Sequence, residues 1–223
     1  MDKFSWTNEE LSALRSLILD HHKIVIFPHT APDGDALGCT LAWSGILRQV
    51  HPSASVHVIS PDVVEDYLSW LPHLDELQIY STDPKHCLQL ISEADLIFHL
   101  DHNQCSRLRH PDLVMAAQAS QAARVLIDHH LDPEPGYDLV FSYPEASATC
   151  ELIHSIICAL GWREYVTPEL ATLLLTGLIT DTGRFMYSHL SPHLFRTTSD
   201  LLELKADYPC IIDRLSYHNP ERQ

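Results

Sequence analysis

The chain has 223 residues, 45% hydrophobic and 20% charged; 16 His outnumber the 14 Lys and Arg, and 30 Asp and Glu set a formal net charge of −16. That length supports one well-buried domain, or a domain with an appendage, and the composition excludes long disorder, collagen and coiled coil. So acidic a surface repels long duplex nucleic acid and anionic membranes, so a polyanionic substrate needs locally placed positive charge, which bound metal ions would supply.

In chain order, Thr7-Asn8-Glu9-Glu10 spells a capping box and opens a helix with Leu11, Leu14, Leu17 and Ile18 on one face. The β-branched run at 24–27 predicts the first strand, and a helix follows Gly34 with Leu37, Leu41, Ile46 and Leu47 inward. Strands at 56–59, 96–100, 125–127 and 139–141 then alternate with helices over 84–91, 111–120 and 147–160. Thr167-Pro168 starts a helix reaching residue 179 that is apolar nearly all round and therefore buried. After Arg184-Phe185 the strand signals end, and helices are expected over 191–204 and 208–215. The alternation predicts an α/β fold, a mostly parallel sheet of about five strands with helices on both faces, followed by a helical extension. Residues 1–190 form the domain and 191–223 the extension or linker.

Six cysteines carry no C-x-x-C pair, which disfavours a zinc ribbon or a redox dithiol. Met1-Asp2-Lys3 leads into the acidic Asn8-Glu9-Glu10, so no export signal is read, and no apolar run approaches the roughly 20 residues of a membrane span. A cytoplasmic protein with reduced thiols and no membrane partner is expected.

In an open parallel sheet ligands bind beyond the carboxyl ends of the strands, and three predicted strands run directly into metal-ligating residue types. The first runs into His29-Thr30-Ala31-Pro32-Asp33-Gly34-Asp35, the one ending at residue 100 into Asp101-His102-Asn103, and the one ending at 127 into Asp128-His129-His130. Thr180-Asp181-Thr182-Gly183, at the end of the buried helix, is the fourth cluster. Taken singly each has an ordinary use: Asp33-Gly34 as a turn, Asp35 as a helix cap, His102 or His129 as a partner of backbone, Asp181-Thr182-Gly183 as a helix ending. Their convergence favours a metal site. Carboxylates and imidazoles without thiolates suit Mn2+ or a similar divalent ion. Two such ions would balance Asp33, Asp35, Asp101 and Asp181, leaving a site able to accept phosphate for two-metal hydrolysis.

At these motifs the sequence resembles the DHH phosphoesterase superfamily, named for the triplet that here is Asp128-His129-His130. HTAPDGDALG from residue 29, LDHN from 100, IDHH from 127 and TGLITDTGRF from 176 occur in the family's order, and ASATCEL from 146 is similar to a helix start found there. The similarity is greatest to bacterial oligoribonucleases that also dephosphorylate 3′-phosphoadenosine 5′-phosphate, and smaller to single-strand DNA exonucleases and manganese pyrophosphatases. The resemblance implies that His29 and Asp33 bind one Mn2+, that Asp35, His129 and Asp181 bind another, and that Asp101 bridges them. It implies that Asp128 orients imidazole or ligand and that His130 faces the substrate phosphate, with a structural histidine as the competing reading. Arg184 is close enough to the Asp181 motif to clamp phosphate, though a surface arginine is the plainer reading.

Cys39 replaces the small hydroxyl residue that often follows the glycine in the family. Relatives continue into a smaller substrate-binding domain with a glycine-rich segment, whereas this sequence stops at Gln223, soon after Tyr217-His218-Asn219-Pro220, without a Gly-Gly pair. The sequence is then either a fragment of a longer protein or a naturally short form; with chemistry expected in the metal domain and selectivity in that second domain, residues 1–223 alone should show weak or unselective phosphoesterase activity. The expected substrate is a short oligonucleotide or small nucleotide phosphate. A pyrophosphatase-like enzyme and a catalytically weak, metal-bound nucleotide-binding module are the alternatives, and a homodimer is left open.

Overall fold

A computed structural model describes residues 3–187 and 190–217. The elements are α1 (Asn8–Asp20), β1 (Lys23–Phe27), α2 (Gly34–Val50), β2 (Ser55–Ser60), β3 (Leu77–Ile79), α3 (Pro84–Glu93), β4 (Leu96–Leu100), α4 (Pro111–Ala119), β5 (Ala123–Asp128), β6 (Leu139–Ser142), α5 (Thr149–Ala159), α6 (Pro168–Asp181), α7 (Pro192–Glu203) and α8 (Tyr208–Tyr217). The capping box at Thr7 is formed, with Glu10 N donating to Thr7 Oγ1 at 3.1 Å and Thr7 N to Glu10 Oε2 at 2.7 Å.

All strand pairs are parallel, in the order β3-β2-β1-β4-β5-β6. The sheet thus has six strands among the described residues, not the five expected. The extra strand, Leu77-Gln78-Ile79, pairs Leu77 with Val58 at the sheet edge. Three residues with a central Gln are too short for a periodic signal, and short edge strands are one way a sheet limits its open edge.

The continuous apolar runs arise because both faces of the sheet are covered. Successive side chains point to opposite faces, so Ile24 and Ile26 join the large core with α2, α5 and α6, while Val25 and Phe27 join a smaller core with α3 and α4. Helix α6 is buried nearly all round, and each of Leu173, Leu174, Leu175, Leu178 and Ile179 contributes roughly 1.5–3 kcal/mol of burial. That packing fixes where its last residue, Asp181, emerges. Helices α2 and α6 approach closely through glycines: a Cβ on Gly177 would collide with the Cys150 sulfur and lie 2.6 Å from Asp35 Oδ1.

Residues beyond 190 are helical as expected, and Leu194, Leu201, Ile211 and Leu215 pack into the large core. The Tyr217-His218-Asn219-Pro220 ending falls on residues 218–223, outside the described ones. The six cysteines are free thiols, and no described helix is long and apolar enough to cross a membrane.

Candidate metal centre

The strand order reverses between β1 and β4, and such a switch point opens a crevice at the carboxyl ends of the strands. Strand β1 delivers His29 there, β4 delivers Asp101 and β5 delivers Asp128, His129 and His130, while the start of α2 brings Asp33 and Asp35 and the end of α6 brings Asp181.

Asp33, not Asp35, caps α2. Its Oδ1 accepts from the backbone N–H groups of Asp35 at 2.9 Å and Ala36 at 3.0 Å, leaving Oδ2 3.9 Å from His29 Nε2. Asp35 is buried and turned across to α5, whose first backbone amides, Thr149 N and Cys150 N, donate to its two oxygens at 2.6 and 2.9 Å. A carboxylate out of water requires such donors, and a helix N-terminus supplies them together with its positive end.

Asp101 lies between the two halves of the cluster. Its Oδ2 is 3.5 Å from His29 Nε2, and its Oδ1 is 3.5 Å from His129 Nε2 while accepting a 2.9 Å hydrogen bond from Thr149 Oγ1. Its backbone is left-handed, φ 61°, a conformation aspartate tolerates at some cost in strain. His129 Nε2 is also 3.5 Å from Asp181 Oδ2 and 4.0 Å from Asp35 Oδ2.

Two triads that share no residue result, His29-Asp33-Asp101 and Asp35-His129-Asp181, with Asp101-His129-His130 overlapping both, and each group has its ligand atoms within 4.8 Å of one another. Separations of 3.5–4.0 Å are too long for hydrogen bonds. They are close to the roughly 3–3.5 Å expected between neighbouring donors that share an ion about 2.1 Å from each. His29 Nδ1 donates to Thr30 O at 2.7 Å, which leaves Nε2 as the ligating nitrogen of the neutral ring. The nearby Cys150 thiol is pushed well up by burial and by Cys39 and Asp35, so no thiolate competes for the ion. The residues therefore fit divalent cations bound through oxygen and nitrogen.

Protonation shows the same demand for positive charge. Burial opposes protonation of His129, yet the carboxylates of Asp101, Asp35 and Asp181 outweigh it and hold the ring at about 10. Desolvation and the carboxylates of Asp101 and Asp33 raise Asp181 to about 6, and desolvation with Asp101 and Asp181 raises Asp35 well above the usual range. Burial also works against the Asp101 carboxylate, but His129 and His29 hold its pKa far below normal.

A cleft of about 770 Å³ opens over this cluster, lined in part by Asn103, Arg107, His129, His130, Glu145 and Asp181. Asp128 is fully buried behind it and accepts from His130 Nδ1 at 2.7 Å and His130 N at 3.1 Å, which fixes the ring. Of the remaining sequence candidates, His102 is a satisfied buried ring, bonded to Leu100 O and His99. Arg184 does not line the cleft; its Nη2 donates to Leu215 O at 2.6 Å, tying the end of α6 to α8.

Sequence reasoning missed Asp62. It accepts from Thr30 Oγ1, from Ala31 N at 2.9 Å and pairs with His110 Nε2 at 2.9 Å, bracing the loop that carries His29. The signal was present, since Asp62 follows β2 as Asp101 follows β4. Thr149 was visible only as part of the helix start, and its hydroxyl on Asp101 depends on where the start of α5 packs in the large core.

A family model described as the DHH family, N-terminal domain, matches residues 23–178. The chain belongs to the DHH family. The chain is 30% identical over 200 residues to the bifunctional oligoribonuclease and PAP phosphatase NrnA of Thermus thermophilus, covering 88% of this chain and 55% of that one. It is 30% identical over 184 residues to the cyclic-di-AMP phosphodiesterase GdpP of Geobacillus thermodenitrificans, covering 78% and 27%. A solved structure described as an exopolyphosphatase-related protein from Bacteroides fragilis superposes with a TM-score of 0.92 at 31% identity, covering 99% of this chain and 64% of that one. The DHH chain therefore spans about half the length of the NrnA relative and about a quarter of the GdpP relative.

Proposed function

We propose that this DHH chain is the catalytic part of a metal-dependent phosphohydrolase that acts on short oligonucleotides or small nucleotide phosphates in the cytoplasm. The observation that carries the reading is Asp101, whose two carboxylate oxygens address separate His/Asp triads from one buried position. Family membership and the NrnA and GdpP relatives supply the reaction class.

His29 and Asp33 would hold one ion, Asp35, His129 and Asp181 the other, and Asp101 both, with Mn2+ suited to the donor set. Such ions supply Lewis-acid activation of water and neutralise phosphate charge. The chain's own residues set the geometry. Thr149 orients Asp101, the α5 amides orient Asp35, and the Asp33 cap bonds leave its second oxygen facing His29. His130 lines the cleft with Nδ1–H held on Asp128, and its imidazolium form would present Nε2–H as a donor to a phosphate oxygen or the leaving oxygen.

The test is a side-by-side phosphate-release and product assay on the Mn2+-supplemented protein with di- and trinucleotides, 3′-phosphoadenosine 5′-phosphate and inorganic pyrophosphate. The reading expects hydrolysis of the nucleotide esters in preference to pyrophosphate. Dominant pyrophosphate release would move the assignment to a pyrophosphatase, and saturable nucleotide binding without hydrolysis would move it to a binding module.

A further inference from the structure

The sheet order gives the cleft a polarity. Strand β5 lies between β4 and β6, so the loop after β5, with His129 and His130, is flanked by the loop after β4 on one side and the loop after β6 on the other. The loop after β4 contributes Arg107 to the lining, and the loop after β6 contributes Glu145. One edge of the cleft thus carries a guanidinium and the other a carboxylate, with the metal ligands between them.

Arg107 is the one Lys or Arg among the described residues that lines this cleft. It is exposed, and no carboxylate among the described residues pairs with it. Its position is nevertheless fixed by the main chain: Arg107 N donates to Gln104 O at 3.0 Å, and Arg107 O accepts from Thr30 N at 3.0 Å. The second bond fastens it beside the loop that carries His29. Arg184, nearer to the metal ligands in sequence, is committed to Leu215 O.

We infer that Arg107 is the residue that grips a phosphate of the substrate, setting the bound molecule with its phosphate end on the β4 side and its uncharged end towards Glu145. This rests on the phosphohydrolase reading above and adds the residue and direction of phosphate recognition. A guanidinium offers paired donors matched to two phosphate oxygens, whereas carboxylates facing an anion at the other edge repel it. Two divalent ions only balance the acids of the cluster, so further positive charge must come from the protein.

The test is calorimetric titration of the Mn2+-loaded protein with adenosine 5′-monophosphate and, as the uncharged control, adenosine. Arg107→Ala should weaken the monophosphate by at least about tenfold and leave adenosine unchanged, with Arg107→Lys recovering part of the loss. In turnover the same change should raise KM more than it lowers kcat, while Mn2+ affinity and Tm stay at wild-type values, because the side chain is exposed and makes no hydrogen bond or ion pair among the described residues. Monophosphate affinity within twofold of wild type in Arg107→Ala overturns the inference, as does a wild-type protein that binds adenosine and its monophosphate alike. A protein that binds the monophosphate through Arg107 but hydrolyses no phosphoester would sink the enzymatic reading and leave Arg107 standing.

Discussion

His129 and His154 each meet an aspartate, at 3.5 Å from Asp101 in one case and 2.7 Å from Asp200 in the other. Around His154 the charges are already matched: Asp200 also accepts from Arg163 Nε at 2.9 Å and from Arg163 Nη2 at 2.5 Å, and Cys158 Sγ lies 3.8 Å from His154 Nε2. Around His129 three carboxylates surround one imidazole at separations too long for hydrogen bonds. Both clusters contain metal-ligating residue types, and both bring three of them within 4.8 Å. Spacing and charge balance separate them. A cluster with a closed, short ion pair and a guanidinium on its carboxylate has no place for a cation, whereas an open one with excess acid does.

Substitutions should separate the two most sharply. Asp101→Asn removes the carboxylate that faces both triads and should lower turnover by about a thousandfold or more, together with loss of the thermal stabilisation that Mn2+ confers. That stabilisation is about 2.7 kcal/mol for an ion at 100 times its Kd, and calorimetric melting with and without Mn2+ reads it directly. Retention of most activity in Asp101→Asn would break the assignment. Next in size, Gly177→Ala drives a methyl group into Cys150 and Asp35, and should cost about 1–3 kcal/mol of stability together with a loss of turnover larger than the change in Tm explains. Urea unfolding and Mn2+ titration of the same variant separate those effects.

Asp200→Asn is the counterpart in the closed cluster. It should cost about 1–2 kcal/mol and leave both Mn2+ affinity and turnover within twofold of wild type. A large loss of metal binding there would show that the closed cluster was misread.

The smallest effect is a difference in pH dependence. Burial opposes protonation of His154, but Asp200 with Cys158 outweighs it and raises the ring from 6.5 to about 9. The folded state then holds a proton that the unfolded chain has lost, so the stabilisation is complete below about pH 6.5 and disappears as pH climbs through about 9. The difference in unfolding free energy between wild type and Asp200→Asn should shrink over that window. Mn2+ affinity should move oppositely, rising from pH 6 to 9, because His129 and Asp181 must release protons to bind the ion. Parallel trends would contradict the contrast between the clusters.

The four motifs and most element positions were legible in the sequence because they depend on local periods, two residues in strands and 3.6 in helices, and on caps such as Thr7 and Thr167. Ligand-type residues at the ends of β1, β4 and β5 were legible for the same reason, and the motifs they form carried the family. The edge strand β3 escaped because three residues hold too little pattern. Which acid caps α2, which amides hold Asp35, how the oxygens of Asp101 divide between His29 and His129, and that Arg107 rather than Arg184 reaches the cleft were decided only by tertiary structure. Each depends on the order of strands in the sheet and on how closely α5 and α6 pack across α2, and both come from contacts between residues far apart in the chain.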